Sequence, residues 1–198
     1  MKIVLASANP GKIAEIKAIL DLPRIEWLTY NEWPEWPAVT EDGLTFLDNA
    51  VAKARTLADF FDLPALADDS GLEVEALGGR PGVGSARFAG AQAADADNVD
   101  KLLRELAAAD TRNRKARFVA VVVLAWPDGR VIAATGVCTG EITAAPRGDR
   151  GFGYDPVFVP EGRSQTMAEL TPAEKNSLSH RGRALRELRR RLEEELRG

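Results

Sequence analysis

Residues 118–126 run Phe-Val-Ala-Val-Val-Val-Leu-Ala-Trp, and Pro127-Asp128-Gly129-Arg130 then turns the chain back into residues 131–142. An apolar run with no period of two must be covered on both faces, which marks a central strand with helices on either side. The turn tetrad makes the next segment its hairpin partner. Helical spacing at Ile13, Ile16, Ile19 and Leu20, over 44–61 and over 97–109 supplies amphipathic covers. The order of these elements predicts an α/β fold around a mixed sheet.

Other segments fit between them. Residues 2–7 read as a strand that stops at Ala8-Asn9-Pro10-Gly11, with a helix immediately after. Trp27, Trp33 and Trp36, with Pro34 and Pro37, read as an irregular edge or loop, because proline forbids regular helix there. Residues 63–67 are a short apolar strand that ends in the polar turn Asp68-Asp69-Ser70-Gly71. Residues 72–77 alternate with period two and predict a second strand, followed by a Gly-rich loop over 78–90. Thr171 as N-cap, Pro172 at the first helical position and Glu174 as the third open a helix near the end. Leu185, Leu188, Leu192 and Leu196 line one face of the last helix, whose arginines and glutamates form a solvated face. No repeat or linker divides the chain, so residues 1–198 are expected to form one domain.

Composition excludes several classes. One cysteine, Cys138, and one histidine, His180, make neither an intramolecular disulfide nor a zinc site of the usual ligands, which points to a reducing cytoplasm. The apolar run at the N-terminus is too short for a leader or a membrane span. With 26 Lys and Arg against 30 Asp and Glu, the net charge of −4 argues against coating nucleic acid. Neither a membrane nor a nucleic-acid partner is expected.

Four segments carry candidate chemistry. Ser7-Ala8-Asn9-Pro10-Gly11-Lys12 lies between a strand and a helix, where free N–H groups and the positive helix end favour an anion, with Lys12 as counter-charge. It is not a Walker A loop, since Ile13 follows the lysine and Ala6 stands where the first glycine belongs; a plain turn is the alternative. Asp68-Asp69 sets two carboxylates side by side, a pair that needs a cation or hydrogen bonds to stay charged. Strand geometry sends the two to opposite faces, and an ordinary turn is again the alternative. The loop Gly148-Asp149-Arg150-Gly151-Phe152-Gly153-Tyr154-Asp155-Pro156 sets two aromatic rings among glycines, a pattern suited to stacking on a base. Lys175 with His180-Arg181 offers cations near a helix start. By contrast, Gly82-Val83-Gly84-Ser85-Ala86-Arg87 lacks the third glycine of a dinucleotide fingerprint, and Cys138 in an apolar hairpin strand reads as core.

Together these segments resemble the inosine triphosphate pyrophosphatase family over nearly the whole chain. The motifs that carry the resemblance are Ser7-x-Asn9-x-x-Lys12; Glu41-x-Gly43-x-Thr45 leading to Asn49-Ala50-x-x-Lys53-Ala54; Ala67 to Leu72; Gly151 to Pro156; and Ser179-His180-Arg181-Gly182. The resemblance implies an elongated two-lobed α/β fold, with a long twisted mixed β-sheet flanked by helices and a nucleotide cleft between the lobes. It implies a homodimer, Mg²⁺ dependence, and cleavage of ITP, dITP or XTP to the monophosphate and pyrophosphate. It puts nucleotide binding on Ser7, Ala8, Asn9, Pro10, Gly11, Lys12, Ser70, Phe152, Gly153, Tyr154, Asp155, Lys175, His180 and Arg181. Mg²⁺ falls on Asp69 with Glu41, and the proton acceptor is Asp69. The sequence departs from the family pattern at Arg150, where a glycine is expected, at Asp48, where a glutamate is common, and at Thr40, where some members carry a further acid.

The chemistry of the residues agrees. Lys12, Lys53 and Lys175 can offset the charge of a triphosphate, and Lys53 lies one helical turn after Asn49 on a shared face. A donor from Arg181 or a backbone N–H would pair with the 6-keto oxygen of hypoxanthine or xanthine. A nucleotide-binding sensor without hydrolysis and a phosphatase acting at the terminal phosphate are the alternatives.

Overall fold

The computed structural model describes residues 1–21, 25–32, 35–109 and 111–195, the last without its side chain. Trp33, Pro34 and Leu196 lie outside the described residues. The strands are β1 (Lys2–Ala6), β2 (Glu26–Leu28), β3 (Ala65–Val74), β4 (Lys115–Ala125), β5 (Val131–Ile142) and β6 (Phe158–Pro160). The helices are α1 (Pro10–Ile19), α2 (Phe46–Phe61), α3 (Asp95–Ala108), α4 (Pro172–Leu178) and α5 (His180–Glu195). One mixed sheet has the order β2-β1-β3-β4-β5-β6, with β1 parallel to β2 and β3 and with β5 antiparallel to β6.

The chain divides into two compact units. The first holds Met1–Asp69, Ala120–Gly136 and the chain from Arg181 onward; the second holds Ser70–Val119 and Val137–His180. In the first, Leu5 and Leu66 join Ala120, Val122 and Leu124 of β4, and Ile16 of α1 and Leu185 and Leu188 of α5 pack in the same cluster. In the second, Leu72, Val74, Phe118, Cys138 and Phe158 pack with Val99, Leu102 and Leu106 of α3. Every residue from Phe118 to Ala125 is buried, as the unbroken apolar run predicts. Each fully buried Leu or Phe adds about 1.5–3 kcal/mol of burial energy.

Local signals placed the helix starts well. Thr171 Oγ1 accepts from the Glu174 N–H and the Glu174 carboxylate accepts from the Thr171 N–H, so α4 begins at Pro172 as its capping box requires. Helix α3 starts two residues before the expected 97, because Asp97 accepts from the Ala94 N–H at 2.8 Å and so serves as the third residue of the first turn. Residues 75–77 form a short 3-10 turn closed by the Gly78 N–H on Glu75, where a continued strand was expected.

The largest difference concerns Asp68-Asp69-Ser70-Gly71. Expected as a turn between two strands, these residues lie in the middle of one ten-residue strand, β3. A strand can carry two buried carboxylates only where counter-charges meet them, and both find such partners.

Candidate active site

In the first unit, β1 ends at Ala6 and Asn9 caps α1, its Oδ1 accepting from the Lys12 N–H at 3.0 Å. Pro10 takes the first helical position, where its missing N–H costs nothing. The turn leaves Ala8, Asn9 and Pro10 exposed at a positive helix end. From the first turn of α1, Lys12 Nζ reaches Asp68 Oδ1 at 3.1 Å.

Asp68 is buried on β3, and its other oxygen meets Arg181 Nε at 3.1 Å. Arg181, buried at the start of α5, also pairs through Nη1 with Glu15 of α1. Burial by itself pushes the Asp68 pKa up, but Lys12, Arg181 and Lys53 outweigh it and hold the carboxyl well below the usual range. Burial lowers the Lys12 pKa, an effect that Asp68 partly reverses. The guanidinium that the sequence offered as a donor to a base thus faces two carboxylates.

Asp69 points to the other face of the strand, as alternation demands. Its Oδ2 accepts from Asn49 Nδ2 at 3.1 Å and its Oδ1 meets Lys53 Nζ at 3.3 Å, both from α2. Lys53 Nζ also meets Glu41 Oε2 at 3.4 Å, so two carboxylates converge on one ammonium. Asp69 has a raised pKa, mainly through burial, with Lys53 and Asn49 pulling the other way. Asn49 is held in turn by Gly43, whose N–H donates to Asn49 Oδ1 at 2.8 Å. A Cβ on Gly43 would lie 2.6 Å from that oxygen, which explains the glycine between Glu41 and Thr45. Gly43→Ala is therefore expected to dislodge Asn49 from Asp69 and lower turnover by roughly 10–100-fold. Steady-state kinetics beside a melting curve would check it; unchanged kcat would refute it.

In the second unit, Ser70 is half-buried next to Asp69 in the chain. The loop 148–156 is fastened from within: Asp155 Oδ2 accepts from the Phe152 N–H at 2.9 Å and pairs with buried Lys175 of α4. Gly151 has φ +76°, and a Cβ there would lie 2.1 Å from Asp155 Oδ2, so only glycine fits. Lys175 Nζ sits 4.5 Å from the centre of the Phe152 ring. Of the loop's two aromatic rings, Phe152 is half-buried, whereas Tyr154 is packed into the core with its hydroxyl donating to Ser85 O at 2.8 Å. Burial and the Asp95 charge push the Tyr154 pKa up. His180 is buried and stacks on Phe118, rings 4.6 Å apart and 9° from parallel.

Glu15, Asn49, Ser85, Asp95 and Phe118 thus join the expected residues. The spacing of Asn49 from Lys53 pointed at Asn49; no local signal pointed at the other four. Cys138 lies in the core, as its apolar strand predicts.

A sheet flanked by helices, with adjacent strand carboxylates held by lysine and arginine, defines an α/β protein built around a charged carboxylate–lysine site. The chain belongs to the Ham1 family, whose model matches residues 3–191. It is 53% identical over 197 residues to a dITP/XTP pyrophosphatase of Aquifex aeolicus, covering 95% of each chain. It is 47% identical over 192 residues to a dITP/XTP pyrophosphatase of Shouchella clausii, covering 97% of this chain and 96% of that one. A solved HAM1 protein from Coxiella burnetii superimposes with a TM-score of 0.89 at 45% identity, covering 98% of this chain and 99% of that one. No helix among the described residues is long and apolar enough to cross a membrane.

Proposed function

We propose that this chain hydrolyses non-standard purine nucleoside triphosphates, namely ITP, dITP and XTP, to the monophosphate and pyrophosphate, as a Mg²⁺-dependent cytoplasmic homodimer. The observation that carries the proposal is Asp69, a carboxylate of raised proton affinity fixed by Asn49 and Lys53 beside Glu41. Relatives named dITP/XTP pyrophosphatase at about half identity support the substrate class.

Glu41 and Asp69 suit a hard divalent cation, since both carboxylates already meet one positive centre at Lys53. The carboxylates gathered at Lys53 are these two. That number fits Mg²⁺, which commonly takes one or two carboxylates and completes its shell with water and substrate phosphates. When bound, the ion would neutralise phosphate charge and polarise the bond to the leaving group.

The chain's own residues supply the rest. Asp69 orients a water and takes its proton as the oxygen attacks the α-phosphorus. The bond to the β-phosphate bridging oxygen breaks, pyrophosphate leaves with that electron pair, and the monophosphate keeps the new oxygen. Lys12 and Lys53 offset the charge that builds on the departing pyrophosphate. Asp68, held ionised by Lys12 and Arg181, fixes the first of these lysines in place. Phe152, Gly153, Tyr154, Asp155, Lys175 and His180 form the group proposed to receive the base. A donor that meets the 6-keto oxygen of hypoxanthine or xanthine is left unpaired by adenine, a mismatch that rejects the wrong base by roughly 10⁴-fold.

Product analysis tests the proposal: purified protein with Mg²⁺ and ITP, XTP, GTP or ATP, scored separately for pyrophosphate and orthophosphate. Pyrophosphate from ITP and XTP, with ATP largely spared, is the expected result. Orthophosphate alone would make the chain a terminal phosphatase, and bound nucleotide surviving prolonged incubation would make it a sensor.

A further inference from the structure

We propose that Asp95 is a positioning residue for base selection, its carboxylate pinning the peptide plane between Phe152 and Gly153. The inference rests on the assignment of the 148–156 loop to the base. Asp95 Oδ2 accepts from the Gly153 N–H at 2.6 Å, and the opposite end of the same peptide is held where Phe152 O accepts from the Asp155 N–H at 3.3 Å. With both ends fixed, the plane cannot rotate, and the direction in which the Phe152 ring leaves the backbone is set. Gly153 needs such a hold, because its φ of +61° and the open space around it leave the backbone little steric guidance.

Asp95 is not spent on its own helix. The N-cap of α3 is Ala94, which has no side-chain acceptor, and it is Asp97 that returns to the Ala94 N–H. The Asp95 carboxylate instead reaches a residue 58 positions away. Its platform is firm. Val99, Leu102 and Leu106 anchor α3 in the core, and Asn98 ties it to Ala86 and Ala89. From the same platform Ser85 O accepts the Tyr154 hydroxyl, and Ser85 Oγ meets the Leu72 N–H at 2.9 Å on β3. Gly153 and Tyr154 are thus fastened to one scaffold, Tyr154 by a buried bond and Gly153 by an exposed one that a charged acceptor strengthens.

The contact orients a group that binds ground state and transition state alike, so its loss acts on KM and on base choice before kcat. The test compares the parent protein, Asp95→Ala and Asp95→Asn with ITP, XTP and ATP, alongside melting temperatures. For Asp95→Ala the expected result is a roughly tenfold rise in KM for ITP, kcat within about twofold, and a roughly tenfold fall in ITP-over-ATP selectivity. Asp95→Asn keeps an acceptor oxygen and is expected to recover most of the selectivity. Unchanged KM and selectivity in Asp95→Ala overturn the proposal, as does an equal loss for all three nucleotides that tracks a lower melting temperature. A parent protein releasing no pyrophosphate overturns the hydrolytic function instead; ITP binding that Asp95→Ala leaves unweakened then overturns the role of Asp95.

Discussion

Asp69→Asn is expected to reduce pyrophosphate release from ITP by about 10³-fold or more while ITP binding stays within a few-fold of the parent. The substitution is nearly isosteric and keeps one acceptor oxygen, which can serve Asn49 or Lys53 but not both, since these meet different oxygens of Asp69, so the packing of the site survives with one of the two contacts. What it removes is the proton acceptor, and general-base catalysis supplies roughly 10²–10⁴-fold. Loss of a negative charge beside Lys53 also leaves that ammonium freer to meet phosphate, so binding does not suffer by the same factor. Single-turnover pyrophosphate release together with equilibrium ITP binding separates the two effects. Full activity in the variant would remove Asp69 from the proton-transfer role, whereas joint loss of binding and turnover would make it a binding residue.

The second large effect is on stability. Arg181→Ala deletes the cation that shares Asp68 with Lys12 and that also pairs with Glu15. Removing one partner of a buried ion pair destabilises by about 3–5 kcal/mol, because the remaining charge is left in a poorly solvating interior. For a chain of this size that lowers the melting temperature by roughly 10 °C. Arg181→Met, which restores volume without charge, is expected to do no better, since Asp68 and Glu15 still lack the guanidinium's positive charge.

The same network sets an acid limit. The folded pKa of Asp68 lies below its unfolded value, so the unfolded chain takes up the proton first as pH falls. The stability that the ionised form contributes is fully present above the ordinary carboxylate value of 3.8 and is lost as pH drops below it. Chemical denaturation at a series of pH values should show this decline in the parent protein and a shallower one in Arg181→Ala. Equal slopes in both would mean that Arg181 does not hold the Asp68 proton off.

Much of the fold was legible because its signals are local or periodic. The buried run at 118–126 and the helix start at Thr171-Pro172 needed only nearest-neighbour chemistry to be recognised. The charged residues of the site were legible too, as a list: Lys12, Lys53, Asp68, Asp69, Lys175 and Arg181 stood out by type and motif. How they pair was not, because Asp68 and Arg181 are 113 residues apart and Asp155 and Lys175 are 20 apart. The polar segment at 68–71 misled for the same reason. Asp, Ser and Gly favour a turn where nothing else acts on them, and only the counter-charges from α1, α2 and α5 let β3 continue straight through.

The aromatic loop divides in the same way. Glycines at 151 and 153 announced an unusual backbone, and both adopt positive φ. The Tyr154 ring turns into the core with its hydroxyl on Ser85 O, Phe152 stays half-exposed and Asp95 accepts from the Gly153 N–H, and no spacing rule connects Ser85 or Asp95 to the loop. By itself, then, the sequence determined the chain's α/β class, its family and the residue types that do the chemistry, because periodicity, caps and motif spacing are properties of neighbouring residues. Which carboxylate stays ionised, which holds a raised proton affinity, and which ring faces solvent were decided by the tertiary structure. Burial and charge pairing are set by whatever the fold brings within a few ångströms, wherever in the chain it comes from.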